Sequence, residues 1–580
     1  MGKIKTFFLK LKEKWLKQSY FSTVSAVALG GILLFTFYVL FKRSDFFDRF
    51  IYELKRPFTW DTTIYYAIGK GMSHGLKPYV DMFETKPPMI FFLASISYSL
   101  TGDYYLCNFL SFFLLILTTL APAICIATLL VKQKDKNPLH WILCMLTSLA
   151  VGFLLGGYSQ LRSGEVQVEL FGAFFVSAYL LLARTIDSSK AKLYSPKVIF
   201  SALLLMIGVM FKEPFLLIAL AGAAIICPKG KDWLYRFLLP CAYGGALGVL
   251  LLLATGTFIP YLNAYLPHML GNHIHIYGSP FGRMKKVENL LNDMSAYSAL
   301  LLGIVLVSVL VTIVKILSEK TAENAPTYQR VLYAIAKGLR IICTPFLVSF
   351  AVGLGGQYYN HHFIFALPCY LLCVILLLES LYSCLCVKKP SVSALNHENA
   401  NLSTSNESAT FVVDGMISLA KIGKICLGTL SLIAVMGIFL LPKPNYKHYD
   451  IILTYAKTMK ADAAYLDDVL DVLNEDTYQY FGFNGPIVYA YTEHDPQGPV
   501  FFQDPNNLRD TDNFFANNLK KQMETTDVYV VSYIKCGVLT DYVNEYIADN
   551  FVLLENSTMA DDVAELKKPS TFTYQIYVRR

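Results

Sequence analysis

The feature that most constrains this chain is a series of long apolar segments that recur along three quarters of its length. The 580 residues are 54% hydrophobic and have a mean hydropathy of +0.44, which excludes an ordinary soluble domain. Many segments approach the roughly 20 apolar residues that cross a hydrocarbon core of about 30 Å. The sequence therefore predicts a polytopic all-α membrane domain with about eleven transmembrane helices. The predicted spans are Phe21–Phe41, Leu106–Val131, Leu139–Phe153, Val168–Ala183, Val198–Phe211, Phe215–Cys227, Phe237–Thr255, Ala296–Leu317, Ile341–Leu354, Phe363–Cys386 and Ile422–Leu441.

Basic residues collect in alternate connections between these spans, which predicts the orientation in the membrane. Positive charge in short loops marks the cytoplasmic side. It occurs before the first span and then in Lys132–Lys136, Arg184–Lys197, Lys229–Arg236, Lys315–Arg340 and Lys388–Lys424. We therefore expect a multi-pass plasma (inner) membrane protein with a cytoplasmic N-terminus. The first apolar run is too long for a signal-peptide core and lacks a small-residue cleavage site, so we expect it to be retained. The net charge of +7 follows from this bias and does not indicate nucleic acid.

The composition changes after Pro442-Lys443-Pro444 to that of a soluble domain. We predict a membrane domain at 1–441 and an extracytoplasmic α/β domain at 442–580, because an odd number of spans places the latter outside. Its only cysteine is Cys536, which excludes a disulfide framework. Predicted strands are Ile487–Tyr491, Val528–Ile534 and Tyr574–Val578, and predicted helices are Asn513–Gln522 and Asp541–Asp549.

The predicted exported loop Lys42–Lys86 contains charged residues next to the bilayer, where they are costly unless they serve a polar site. Asp61 precedes an amphipathic stretch, so it is either a helix N-cap or a base that removes a proton from an incoming hydroxyl group. Glu84 and Lys86 stand before Pro87-Pro88. They form an interfacial ion pair, or Lys86 binds a phosphate while Glu84 orients that phosphate or a divalent metal.

Further polar residues lie at other predicted exported ends of spans. Arg162 and Glu165, with Glu169 after them, are either a pair on one helix face or part of a polar site. Lys212 and Arg283 add positive charge on the side where the topological bias does not require it, which favours an anionic partner. His361 and His362 are either an interfacial belt or hydrogen-bond partners of a substrate. No metal-ligand cluster is evident from spacing.

Together these residues resemble the GT-C glycosyltransferases, in particular protein O-mannosyltransferases, lipid A aminoarabinose transferases and bacterial envelope glycosyltransferases. The resemblance rests mainly on Asp61, on the turn Gly75-Leu76-Lys77-Pro78-Tyr79-Val80-Asp81 and on Lys86-Pro87-Pro88, and it extends over roughly residues 20–375. Many members have Asp-Glu where this chain has Asp61-Thr62, which argues against a protein-mannosyl acceptor.

The resemblance implies a GT-C-like membrane enzyme that transfers a sugar from a polyprenyl-phosphate donor to an envelope glycan, lipid or protein. It implies Asp61 as the acceptor base, and donor binding by Glu84, Lys86, Arg162, Lys212 and Arg283. It implies no certain cofactor, with Glu84 as the candidate ligand if a divalent metal takes part. Two alternatives remain open, a transporter or flippase of lipid-linked glycans and a glycan polymerase or ligase.

Overall fold

The computed structural model shows a mainly helical molecule with a small β-sheet near its C-terminus. It describes residues 60–135, 137–162, 167–271, 302–311, 360–385, 423–438, 447–482, 485–504 and 507–580, with scattered positions within 31–42 and 332–351. Before the sheet, the helices are α1 (Trp60–Ser73), α2 (Met89–Thr101), α3 (Tyr105–Lys132), α4 (Pro138–Arg162), α5 (Val168–Ala183), α6 (Pro196–Phe211), α7 (Phe215–Ile226), α8 (Gly230–Ala254), α9 (Leu302–Val311), α10 (Leu367–Leu385) and α11 (Gly423–Ile438).

Four helical stretches are long and apolar enough to cross a membrane, counted over the residues that the structure describes. They are Tyr105–Lys132, Pro138–Gly156, Gly230–Ala254 and Ile364–Ser383. The most apolar stretch of Ile364–Ser383 is 83% buried, whereas that of Gly230–Ala254 is only 28% buried. Ile364–Ser383 is therefore central to the helical assembly, and α8 is peripheral. Helices α5, α6, α7, α9 and α11 are apolar but shorter, and each falls on a predicted span. The first predicted span and Ile341–Leu354 lie mostly outside the described residues, so the count of eleven stays a prediction.

Helices α3 and α4 approach each other closely because small residues line their contact. A Cβ at Gly152 would lie 2.0 Å from the carbonyl oxygen of Thr119, and one at Gly156 would lie 2.0 Å from the Thr119 hydroxyl oxygen. The hydroxyl donates to the carbonyl of Leu115 at 2.8 Å, one turn earlier in α3. Glycine at these two positions of α4 is thus required by the packing of the helix pair.

Between the first predicted span and α3 lies a helical hairpin that the list of spans did not include. Helix α1 and helix α2 pack on one another, with Gly69 so close to Ala94 that a Cβ there would lie 2.5 Å from the Ala94 Cβ. Helix α2 has only 13 residues, about 20 Å at 1.5 Å per residue, too short to cross the bilayer. It begins directly after Pro88, consistent with the preference of proline for a helix start.

The sheet near the C-terminus has five strands in the order β2-β1-β3-β5-β4. Its strands are β1 (Thr477–Phe481), β2 (Asp495–Pro496), β3 (Val528–Val531), β4 (Phe551–Leu553) and β5 (Gln575–Arg579). Strands β2 and β3 pair with β1 in parallel, whereas β5 runs antiparallel to both β3 and β4. The helices of this region are α12 (Lys447–Leu473), α13 (Gly485–Tyr491), α14 (Phe514–Thr525), α15 (Thr540–Asn550) and α16 (Ala560–Val563).

One predicted strand of this region is wrong. Ile487–Tyr491 belongs to helix α13, which begins at Gly485. The run is β-branched and aromatic, yet a short apolar run does not distinguish a strand from a buried helical turn. Pro486 lies in the first turn of the helix, where a proline is well tolerated, and the residues from Gly485 to Ala490 are buried. The other two predicted strands fall on β3 and β5.

The α1–α2 hairpin is joined to the region of the sheet by hydrogen bonds as well as by apolar packing. The Lys70 ammonium group, 1% exposed, donates to the carbonyls of Thr492 at 2.6 Å and His494 at 2.9 Å. The backbone amide of Phe83 donates to the carbonyl of Pro499 at 3.0 Å. A single cluster of buried apolar residues runs through both parts. The loop between α1 and α2 is therefore held on the side of the C-terminal sheet.

Candidate active site

Charged residues from four separate elements meet beside the α1–α2 hairpin. The loop before α2 supplies Glu84 and Lys86, the start of α5 supplies Glu169, and the turn between α6 and α7 supplies Lys212. The 3₁₀-helix Asn360–Ala366 supplies His362. In a part of the molecule built from apolar helices, such a group of charged residues marks a candidate functional site.

The first part of this cluster is the ion pair of Glu84 and Lys86. Their Oε1 and Nζ atoms are 3.2 Å apart, and the side chain of Glu84 is 6% exposed. The Thr85 hydroxyl also donates to Glu84 Oε1, at 3.0 Å. The predicted pairing is present, and it uses one of the three donors of the Lys86 ammonium group.

The loop that presents Lys86 is shaped by Tyr79, which has a φ of 67°. Bulky residues rarely adopt this left-handed conformation, so the surroundings must hold it. The backbone amide of Tyr79 donates to the Met82 carbonyl at 2.7 Å, and its hydroxyl donates to the Lys86 carbonyl at 2.7 Å. The fully buried ring of Tyr79 thereby fixes the backbone from which the Lys86 side chain extends.

The second part of the cluster is centred on Glu169, in the first turn of α5. Its carboxylate has no exposed surface and accepts a hydrogen bond from the Lys212 ammonium group. The Nε2 atom of His362 lies 3.7 Å from the same carboxylate. Lys212 also stands over the ring of Phe365, 5.5 Å from its centroid. Helix α5, the α6–α7 turn and the 3₁₀-helix are thus tied together at one point.

The two parts are electrostatically linked. Burial works to lower the pKa of Lys86, but the nearby carboxylates of Glu84, Asp61 and Glu169 outweigh it and hold that pKa above the ordinary value for lysine. Glu169 therefore acts on Lys86 while it binds Lys212. Lys86 stays protonated over the whole physiological range, and Asp61 lies within electrostatic reach of it.

Asp61 is in the first turn of α1. A carboxylate there is favoured by the helix dipole, so this position agrees with a structural role as well as with a catalytic one. Asp61 is partly exposed, and no hydrogen bond or ion pair joins its carboxylate to any residue that the structure describes. Such a carboxylate is free to accept a proton from a bound hydroxyl group.

A fourth carboxylate, that of Glu213, borders the cluster from the α6–α7 turn. Glu213 accepts a hydrogen bond from the hydroxyl of Tyr265, in the π-helical turn Tyr261–Tyr265. Burial raises the pKa of Glu213, against the hydrogen bond from Tyr265 and the charges of Lys212 and Lys86, which lower it. The ring of Tyr265 lies 5.0 Å from that of Tyr79. An aromatic wall therefore adjoins the charged residues.

Several residues predicted from the sequence cannot be placed in this geometry. Glu165 and Arg283 lie outside the described residues. Helix α4 ends at Arg162 and the 3₁₀-helix includes His361, but the side chains of both are outside the described part. Of the four basic residues predicted to bind the donor, Lys212 binds Glu169 directly and Lys86 lies within electrostatic reach of the same carboxylate.

The structure gives little support to a metal at Glu84. Its Oε1 atom is bound by Thr85 and Lys86. Among the residues that the structure describes, no group of three or more His, Cys, Asp or Glu side chains is arranged to hold a metal ion. Glu84 fits the role of a carboxylate that positions Lys86.

Two features of this site do not follow from the sequence, namely Tyr265 and the central role of Glu169. Glu169 was noted only as a neighbour of Arg162, and its contacts come from residues 43 and 193 positions later in the chain. A charged residue in the first turn of an apolar helix is the sequence signal for Glu169. No such signal points to Tyr265.

Comparisons with known proteins give a similarity but no family assignment. No protein-family model matches the chain, and no curated protein matches it. Among solved structures the chain is similar to ArnT from Cupriavidus metallidurans, whose crystal structure contains bound undecaprenyl phosphate, with 12% identity and a TM-score of 0.44. The match covers 95% of this chain and 97% of ArnT. A similarity at this level carries no functional argument.

Proposed function

We propose that the chain is an integral membrane glycosyltransferase that moves a sugar from a polyprenyl-phosphate donor to an acceptor on the extracytoplasmic face. The observation that carries the proposal is the cluster of two ion pairs, Lys86 with Glu84 and Lys212 with Glu169, in which Glu169 and the partly exposed Asp61 both lie within electrostatic reach of Lys86. A transfer from a lipid phosphate needs cations at the leaving group and a base at the acceptor, and these residues offer both.

In the proposed reaction the acceptor oxygen attacks the anomeric carbon of the donor sugar. The new bond to the acceptor forms as the bond between that carbon and the phosphate oxygen breaks. The electron pair leaves with the polyprenyl phosphate, and the hydroxyl proton passes to Asp61. Lys86 and Lys212 each retain ammonium donors beyond those given to Glu84 and Glu169, so they can stabilise the charge that develops on the phosphate.

Glu84 and Glu169 have a positioning role in this proposal. A lysine side chain is flexible and its ammonium group is a point charge. Each carboxylate holds one lysine in place before the donor arrives, which removes part of the ordering cost at the moment of reaction. His362, beside Glu169, and Arg162, Glu165, Arg283 and His361, predicted from the sequence, are proposed to contact the donor or acceptor.

The test uses purified protein in proteoliposomes with a panel of radiolabelled lipid-linked sugars. The expected result is release of polyprenyl phosphate with transfer of the label to an acceptor. In Asp61→Asn we expect turnover to fall by about 10²–10⁴-fold, the usual contribution of a general base, with donor binding retained. Asp103→Asn is the matched control, since Asp103 lies after α2, outside the charged cluster, and its carboxylate accepts from the adjacent backbone amide of Tyr104.

Two outcomes would contradict the proposal. Activity of Asp61→Asn within about threefold of the wild type would remove the base role and return Asp61 to helix stabilisation. Movement of intact lipid-linked sugar across the bilayer without release of polyprenyl phosphate would identify a flippase instead.

A further inference from the structure

A second polar site lies at the other end of the helices that form the candidate active site. It is a cavity of about 420 Å³ whose lining includes Arg184, Arg236, Arg340 and Glu379. Helix α5 connects the two sites, because Glu169 stands in its first turn and Arg184 directly follows its last residue. At 1.5 Å per residue, these positions are roughly 22 Å apart. The cavity is therefore at the predicted cytoplasmic end of the helices.

Three guanidinium groups converge on the wall of this cavity. Arg236 donates to the carbonyl of Ile226 and, at 2.9 Å through Nη2, to that of Ile186. Arg340 donates through Nη1 to the next carbonyl of the same helix end, that of Cys227, at 3.2 Å. Arg184 makes two parallel hydrogen bonds to Glu379, at 2.7 and 2.9 Å.

These arginines retain hydrogen-bond donors that no described residue uses. The Nε atom of Arg184 is buried without a hydrogen-bond partner, and leaving a buried donor unsatisfied is costly. Arg340 uses one of its five N–H groups on the residues that the structure describes. Such donors on converging guanidinium groups suit an anion with several acceptor oxygens, and the planar fork of arginine matches phosphate.

Helix capping and the cytoplasmic bias of positive charge account for only part of this arrangement. Cations near a helix C-terminus satisfy carbonyls that have no partner within the helix, as Arg236 and Arg340 do. The excess of positive charge on the cytoplasmic side needs only side chains exposed to water, such as Lys190, which is 85% exposed. Arg184 and Arg236 are instead 19% and 16% exposed and line an open cavity, which neither role requires.

The rest of the wall indicates what kind of anion fits. Ile226, Ile341 and Leu376 line the same cavity as the arginines. The volume lies in the range of about 300–1,000 Å³ that is usual for small-molecule sites. A free inorganic anion needs no apolar wall. A lipid headgroup needs an apolar wall, because the glycerol and first acyl carbons adjoin its phosphate. Basic pockets between helices near the cytoplasmic surface suit such headgroups.

We propose that this cavity binds a phosphate group, supplied by the headgroup of an anionic lipid of the predicted cytoplasmic leaflet. Arg340 faces the phosphate oxygens, the guanidinium group of Arg184 adds positive charge beside them, and Arg236 holds the two helix ends in place. The carboxylate of Asp232 lies 3.3 Å from Arg236 and accepts from the Ser188 hydroxyl at 2.6 Å. Among the described residues of the lining, Glu379 is the one with a carboxylate, and Arg184 neutralises it.

Native mass spectrometry of the full-length protein in detergent tests the proposal, with dioleoyl phosphatidylglycerol compared with dioleoyl phosphatidylcholine. We expect the wild type to retain phosphatidylglycerol preferentially. Arg340→Gln should weaken this retention roughly tenfold or more, the loss expected for a hydrogen-bonded charge. Lys190→Gln is the matched control, since it removes an exposed charge at the same end of the helices and should leave retention unchanged.

Glu379→Gln separates a binding site from a purely structural cluster. Removal of this carboxylate frees the guanidinium group of Arg184 for the ligand, so phosphatidylglycerol retention should rise. If the cluster only caps helix ends, Glu379→Gln and Arg340→Gln should lower thermal stability without changing lipid preference. That result would overturn the proposal. Equal loss of binding in Lys190→Gln would overturn it as well.

Inorganic phosphate distinguishes the two sources of the ligand. If phosphate alone stabilises the wild type but not Arg340→Gln, and phosphatidylglycerol is not retained, the site takes free phosphate. If neither probe binds in an Arg340-dependent way, the cavity is not a phosphate site.

Discussion

Lys212 illustrates, at the scale of single residues, how charge is kept inside this mainly apolar assembly. Its side chain is 14% exposed, and its carboxylate partner Glu169 is not exposed at all. Removing two charges from water is expensive, and their mutual attraction offsets this cost only when both stay in place. The pair is thus a poor source of stability but a strong constraint on position, which is what a site for a charged ligand needs.

A double-mutant cycle on Glu169 and Lys212 measures this constraint. Either Glu169→Gln or Lys212→Met leaves a buried charge without its partner and should lower the free energy of unfolding by about 3–5 kcal/mol. The double variant should lose less than the sum of the two, with a coupling of about 1–3 kcal/mol. Thermal unfolding in detergent gives these values. Additive losses would show that the two groups do not act as a pair.

At the scale of elements, the contact of α3 with α4 depends on backbone proximity. Gly152→Ala would force a Cβ against the carbonyl oxygen of Thr119, and backbone cannot move aside as the end of a flexible side chain can. We expect a loss of about 1–3 kcal/mol, typical of overpacking.

The control for this substitution is Gly245→Ala in α8, where a Cβ would meet no atom within 4 Å. Alanine there should be neutral or stabilise the helix by up to about 1 kcal/mol, because it is the better helix former. Equal thermal stability of the two variants would mean that α3 and α4 do not pack this closely.

In the region of the sheet, His494, in the chain after α13, contacts two carboxylates of helix α12, and the charge of this histidine changes with pH. The Nδ1 atom of His494 lies 2.8 Å from Asp467, and its Nε2 atom lies 3.3 Å from Asp471. The hydrogen bond to Asp467 raises the pKa of His494, against the effect of burial. The carbonyl of the same residue accepts from Lys70 of α1, so this histidine adjoins the contact with the hairpin.

The pH dependence of stability follows from the direction of that shift. The stabilisation by protonated His494 is complete below about pH 6.5, the ordinary histidine pKa, and is lost as the pH rises through the raised pKa of the folded state. We expect the melting temperature to fall across this range as the pH rises. Asp467→Asn should flatten the curve, and Asp468→Asn, the exposed neighbour, should not. An unchanged slope in Asp467→Asn would contradict the assignment.

At the scale of the whole molecule, the prediction to be tested is the orientation in the membrane. Alternating basic loops predict that the N-terminus and residue 405 are cytoplasmic and that residues 442–580 are outside. In intact cells, an impermeant thiol reagent should therefore label Lys521→Cys but not Ser405→Cys, with the parent protein and its twelve native cysteines as the background. Labelling of Ser405→Cys would reverse or break the predicted topology.

The sequence by itself determined where apolar helices form, since α3, α5, α6 and α7 coincide closely with predicted spans. The reason is that hydrophobic length and proline or charged boundaries are local properties. It also placed Glu84 beside Lys86, because two positions in one loop cannot lie far apart. It misassigned Ile487–Tyr491, where a short apolar run suits either a strand or a helical turn.

Only the tertiary structure decided which charged residues share a site. Glu169 meets Lys212 and His362 because α5, α6 and the 3₁₀-helix pack side by side, and no sequence spacing encodes contacts between residues 43 and 193 positions apart. The same holds for Arg184 with Glu379 and for Lys70 with the carbonyls near β2. Each depends on the fit of large apolar surfaces, which is a property of the whole fold, and the charged residues meet where that fit brings the helix ends together.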